Sequence, residues 1–145
     1  YFRGAAMNDA RLKKQLEVDE LRSKKIYTDT VGKISGGIGR NLTDRGFSDD
    51  EIDLMYANDV RMAEADARAL VPNFDKLNDV RQEVLVNMSF NMGKTRMAGF
   101  KKFLSAVVIQ DFTRAADEMK DSAWYGQTKD RAVRLVYAMR FGSFK

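Results

Sequence analysis

Between Asn78 and Gly93 the chain carries Val80, Val84, Leu85, Val86, Met88, Phe90 and Met92, which together leave little polar surface on any side of a helix. A helix that is apolar nearly all round must be surrounded, so this one segment calls for a bundle of other helices about it. Its ends are marked too: Asn78 is placed to cap the first turn and Gly93 to end the last.

The same punctuation outlines the rest. Ser48-Asp49-Asp50-Glu51 reads as a capping box that opens a helix running to about Ala69 and stopped by Pro72, the only proline in the chain. Shorter helices are expected around Phe100 to Val108 and Asp111 to Lys120, and a last one from Lys129, capped by Thr128, to Phe141. Asn8 to Glu20 has a weaker amphipathic pattern through Leu12, Leu16 and Val18, which puts Glu20 near its last turn. Met88, Met92, Phe90 and Phe100 read as core packing, and Trp124 as a core anchor.

One region breaks the helical pattern. Lys25 to Asp29 alternates, with Ile26 and Thr28 on one face and Tyr27 and Asp29 on the other, as a short strand does. Val31-Gly32-Lys33 then makes a turn into a second strand, Ile34 to Ile38. The fold class expected is α+β, mainly helical, with a hairpin lobe at about 21–47, a linking helix at about 48–70, and a helical lobe at about 73–145 joined by the first helix. Tyr1 to Ala6 reads as a protease-site remnant and cloning scar, which leaves 7–145 as one domain. At 145 residues, 44% of them apolar, the chain is long enough for a real core.

The chain has no cysteine and no histidine. That removes disulfides, thiol nucleophiles, Ser-His and Cys-His catalysis and the usual metal sites, so no cofactor or metal is expected. Carboxylates remain the main candidates for acid-base work. Most of the 21 acidic residues must simply be solvated, but Glu20 at a helix end and Asp29 on a hairpin can face each other across a groove. Glycoside hydrolysis requires such a pair, because one carboxylic acid protonates the leaving oxygen while a carboxylate activates water or attacks the sugar.

The pattern Glu20-x6-Tyr27-x-Asp29-x5-Ser35-x-Gly37-Ile38-Gly39 resembles the signature of the phage-type lysozymes, glycoside hydrolase family 24, in which a Glu, an Asp and a Thr hold the three polar positions. Asn87-Met88-Ser89-Phe90-Asn91-Met92-Gly93, followed by Ala98-Gly99-Phe100, resembles that family's central helix and the turn after it. Trp124-Tyr125-Gly126-Gln127-Thr128-Lys129-Asp130-Arg131 is similar to its Trp-Tyr-x-Gln-Thr-x-x-Arg segment. The three blocks keep the family's order and span Met7 to Lys145.

The resemblance implies a lysozyme-like fold with a cleft between the two lobes, and a muramidase that cleaves the β-1,4 bond between N-acetylmuramic acid and N-acetylglucosamine in bacterial peptidoglycan. It implies Glu20 as general acid, Asp29 as the base that directs water with inversion, and Ser35 as a holder of that water. Arg131 would position Glu20, and Tyr27, Asn91, Gly37 and Gly39 would support the site or line the cleft. Lytic transglycosylase action and a catalytically dead wall-binding module are the alternatives, and retention of both acids and a hydroxyl speaks against the dead site. Four departures stand out. Leu21 takes the place of a Gly, Ser35 of a Thr, Ser35-Gly36-Gly37 of Thr-Ile-Gly, and Arg40 of a His. If position 21 requires a positive φ, Leu is strained there.

Net charge is +4, or +3 without Arg3, and the sequence pI of about 9.3 suits an anionic cell wall. It would equally suit nucleic acid, but the chain has neither an aromatic-basic RNA motif nor a clustered basic helix, so no nucleic-acid partner is expected. No apolar run is long enough for stable membrane insertion, and the protein is expected to be made without a signal peptide. The expectation is a monomer acting on the wall in the periplasm, released from the host cytoplasm through a holin or carried on a virion as part of a larger protein.

Overall fold

The computed structural model describes residues 7–145; the expected cloning remnant at 1–6 lies outside them. The chain forms two compact units, the first ending at Asp53 and the second comprising Leu54–Lys145. The molecule is mainly helical with one small antiparallel sheet, as the sequence pattern required.

The first unit opens with helix α1 (Asp9–Asp19). Asn8 Oδ1 accepts from Arg11 N–H at 2.9 Å to cap it, and Glu20 closes it by donating its N–H to Leu16 O. Leu21 follows at φ 62°, the left-handed conformation that ends many helices and favours Gly. Strand β1 (Arg22–Thr28) starts three residues before the alternation begins to show, while β2 (Ile34–Ile38) has the bounds read from the sequence. They pair antiparallel through Ser23↔Gly37 and Tyr27↔Ser35. Between these two pairs β1 spends four steps and β2 two, so Lys24, Lys25 and Ile26 bulge past Gly36. A two-residue strand, β3 (Arg40–Asn41), joins the other edge of β2 and leads into the single turn α2 (Leu42–Arg45).

Helix α3 (Asp49–Leu70) runs from the first unit into the second. Ser48 N–H donates to Glu51 Oε1 at 2.8 Å, the acidic half of the expected capping box, while the Ser48 hydroxyl also turns to that carboxylate. Pro72 lies two residues beyond the helix end, as a stop should.

In the second unit, α4 (Asp79–Met92) begins on Asn78, whose Oδ1 accepts from Arg81 N–H at 3.0 Å, and ends at Gly93 with φ 80°. It is followed by α5 (Lys94–Ala98), α6 (Lys101–Val108), α7 (Phe112–Lys120), α8 (Ala123–Thr128) and α9 (Asp130–Phe141). Leu85, Met88, Met97, Phe103, Met119, Trp124 and Met139 are fully buried and form the core. Arg81 ties α4 to α9: its Nε and Nη2 donate to Met139 O and Arg140 O at 2.8 and 3.0 Å, and its guanidinium stacks on Phe112.

Two expectations here are corrected. Thr128 does not cap α9. It sits in the last turn of α8, where its hydroxyl donates to Trp124 O at 2.9 Å, and the chain turns at Lys129 with φ 47°. Phe90 is not core but 47% exposed, so α4 is buried on one side only, through Val84, Leu85, Met88 and Ser89.

Candidate active site

The expected catalytic residues Glu20, Asp29 and Ser35 all belong to the first unit. Glu20 is an exposed residue at the α1 cap, and its side chain lies against Gly39. A Cβ added at Gly39 would stand 2.7 Å from Glu20 Oε2 and 2.8 Å from Glu20 Cβ, closer than atoms can approach. Gly39 also has φ +65°, so the turn after β2 needs glycine twice over: for its backbone and for the space that Glu20 fills. By contrast, nothing lies within 4 Å of a Cβ built on Gly37, which also has positive φ; that position needs glycine for backbone freedom alone.

Asp29 organises the hairpin turn. Its Oδ1 accepts from Val31 N–H at 3.0 Å and Lys33 N–H at 2.8 Å, while its own N–H donates to Lys33 O and its carbonyl accepts from Gly32 N–H. This is the Asx-turn chemistry that suits Asp to such turns. It fixes one carboxylate oxygen against backbone, and no hydrogen bond from the described residues engages Oδ2.

The ladder then places Ser35. Tyr27 stands opposite Ser35, and directly opposed residues project to the same face of an antiparallel pair. Asp29 is two residues beyond Tyr27 and pairs with Lys33, so Asp29 and Ser35 are diagonal neighbours. Ser35 is 4% exposed, and none of the described residues hydrogen-bonds its hydroxyl.

Arg40, where the resemblance expected His, forms an ion pair with Glu51 in the first turn of α3, and its Nη1 donates to Gly46 O at 3.4 Å. The Arg40 hydrogen bond, those from Ser48 and the opposite charge hold the Glu51 carboxyl down at about 2. Arg40 itself is raised, chiefly by the same contact.

In the second unit, Asn91 accepts from the fully buried Trp124 at 2.9 Å from its Nε1. Trp124 is therefore the core anchor the sequence suggested, and Asn91 Oδ1 satisfies its one donor. Arg131 opens into a cavity of about 540 Å³ whose lining includes Tyr56, Glu64, Glu83, Asn87 and Phe90, and within its own unit Arg131 forms no ion pair among the described residues. Of these lining residues, Tyr56, Glu64 and Glu83 were not singled out from the sequence, Asn87 entered only as part of a motif block, and Phe90 was read as core. Helical spacing could have found them, since Tyr56, Val60 and Glu64 recur every four residues on α3, and Glu83, Asn87 and Phe90 recur at four and three on α4.

No family model matches the chain. Two proteins of Dictyostelium discoideum are similar to it over nearly their whole lengths. "Probable T4-type lysozyme 2" is 26% identical over 163 residues, covering 92% of this chain and 96% of that protein. "Probable T4-type lysozyme 1" is 24% identical over 161 residues, covering 91% and 95%. The pre-baseplate central spike protein Gp5 of Enterobacteria phage T4 is 29% identical over 117 residues, which cover 77% of this chain but 20% of the spike protein.

Proposed function

We propose that this chain, a relative of the T4-type lysozymes, is a muramidase that hydrolyses the β-1,4 bond between N-acetylmuramic acid and N-acetylglucosamine in peptidoglycan. The observation that carries the reading is the diagonal placement of Asp29 and Ser35 on the Tyr27 face of the hairpin. Diagonal neighbours in an antiparallel pair stand roughly 7 to 8 Å apart, too far for a direct hydrogen bond and suited to a shared water. The second carboxylate oxygen of Asp29, left open by the Asx turn, takes one hydrogen of that water, and the Ser35 hydroxyl fixes the water's orientation.

Glu20 is the general acid that protonates the leaving oxygen while Asp29 draws the proton from the attacking water. A water-holding base makes the reaction inverting. Arg131 and Asn91, which the sequence resemblance assigns to the substrate cleft, both belong to the second unit, where Arg131 lines the cavity beside Glu64 and Glu83. The similarity to a phage spike protein supports a setting in which such a domain acts on the wall as part of a larger protein. Among the described residues, no helix is long and apolar enough to cross a membrane.

The test is Glu20→Gln, which keeps the shape of the side chain and removes its proton donor. Activity on purified peptidoglycan should fall at least about a hundredfold with the circular dichroism spectrum unchanged. A folded variant that still lyses walls well would remove Glu20 from the acid's role.

A further inference from the structure

We infer that Arg40 and Glu51 are positioning residues for Glu20, acting through the backbone of Gly39. The proposal rests on the glycosidase reading only in calling Glu20 the acid; the mechanical linkage stands on its own geometry. Gly39 forms the wall against which the Glu20 side chain lies, with no room for even one added carbon. Yet the segment holding that wall is weak by composition. Gly36, Gly37 and Gly39 fall within four residues, and glycine resists deformation less than any other residue. Beyond Gly39 the ladder among the described residues consists of two pairs, Gly36↔Arg40 and Ser35↔Asn41, with Thr43 Oγ1 accepting from Ile34 N–H further along.

Side chains supply the missing restraint. Arg40, the residue next to Gly39, reaches across to the Glu51 carboxylate and to Gly46 O. Glu51 is fixed in turn by Ser48 N–H at the start of α3, a helix of 22 residues. A rigid element is thereby tied through one ion pair to the residue beside the Glu20 wall. Both side chains are largely shielded, Arg40 at 22% and Glu51 at 33% exposed, and Arg offers the planar fork that holds a carboxylate and a carbonyl at once. An ion pair that merely stabilised the fold could lie anywhere on the unit; this one is adjacent to Gly39, the one glycine among the described residues on which a side chain would strike Glu20.

The test compares the parent with Glu51→Gln, Arg40→Gln and Arg40→Lys. Glu51→Gln retains a carbonyl oxygen to accept from Ser48 N–H, so it removes the charge and leaves the helix start capped. The first readout is the set of NOEs between the Glu20 side-chain methylene protons and the Gly39 α-protons, which needs no substrate and which a pair that only stabilised the fold would leave unchanged. The second is steady-state hydrolysis of a soluble peptidoglycan fragment. Glu51→Gln and Arg40→Gln should weaken those NOEs and lower kcat about tenfold to a hundredfold with KM nearly unchanged, the scale on which a small displacement of a catalytic group acts. Arg40→Lys, which keeps the charge but loses the fork, should lie between the parent and Arg40→Gln. Folded variants that keep the parent's NOEs and kcat would overturn the proposal. Weakened NOEs in variants of a parent that does not cleave glycan would instead support the linkage and refute the muramidase reading alone.

Discussion

Gly39 and Glu20 are in contact so close that the space a Cβ would need at position 39 is already taken by the Glu20 carboxylate and by Glu20 Cβ. The relationship lies at the junction of two elements, the end of α1 and the turn after β2. The Cβ of Glu20 cannot swing aside as the tip of a flexible chain can. Gly39→Ala must therefore displace the helix end or the turn. We expect it to lower activity about a hundredfold. Gly93→Ala serves as the control, because Gly93 has a similarly positive φ but no atom near its missing Cβ. It should cost stability without that loss of turnover. Equal activity in the two variants would mean that the Glu20 site tolerates movement.

Leu21 gives a stability prediction of the opposite sign. It holds φ 62° and is 67% exposed as a residue, so the left-handed conformation costs strain and little packing is gained in return. Leu21→Gly should raise the unfolding free energy by about 1 kcal/mol, measured by urea denaturation. A loss of stability would show that the leucine side chain makes compensating contacts.

Glu51 gives the pH dependence. Its folded pKa, about 2, lies below the ordinary carboxylate value of about 4.3, so the ion pair with Arg40 contributes stability that is fully present above the ordinary value. That contribution fades as pH falls through 4 and toward 2, where Glu51 becomes protonated in the folded state as well. Thermal melting of the parent and of Glu51→Gln should therefore differ most near neutral pH and converge toward pH 2. Curves that stay parallel across this range would mean that the carboxylate charge contributes nothing to the difference.

The sequence was most legible where one residue's chemistry decides the backbone. Asn78, Pro72 and Gly93 each acted as read, because capping and helix termination are local. The second strand was legible too, since a turn and a period of two need no distant partner. Failures came where tertiary placement decided. The short helices α5 and α8 carry too few residues to show a period, and Thr128 found a better partner in the preceding turn than in the helix it precedes. Phe90 looked like core by composition, but only the lattice of neighbouring helices determines which face of α4 is covered. At the candidate site the residue types were legible. The Arg40 bond to Glu51 was not, because it joins residues eleven apart through side chains whose partners no motif specifies.

The central claim is hydrolysis of a glycan bond with water held by Asp29 and Ser35. Mass spectrometry of peptidoglycan digested by the purified protein tests it most directly, since the chemistry of the new end records what attacked the sugar. The account predicts muropeptides ending in reducing N-acetylmuramic acid, each heavier by one water than its anhydro counterpart. Anhydro-muramic ends would contradict it, because they form when no water attacks and would make the protein a lytic transglycosylase.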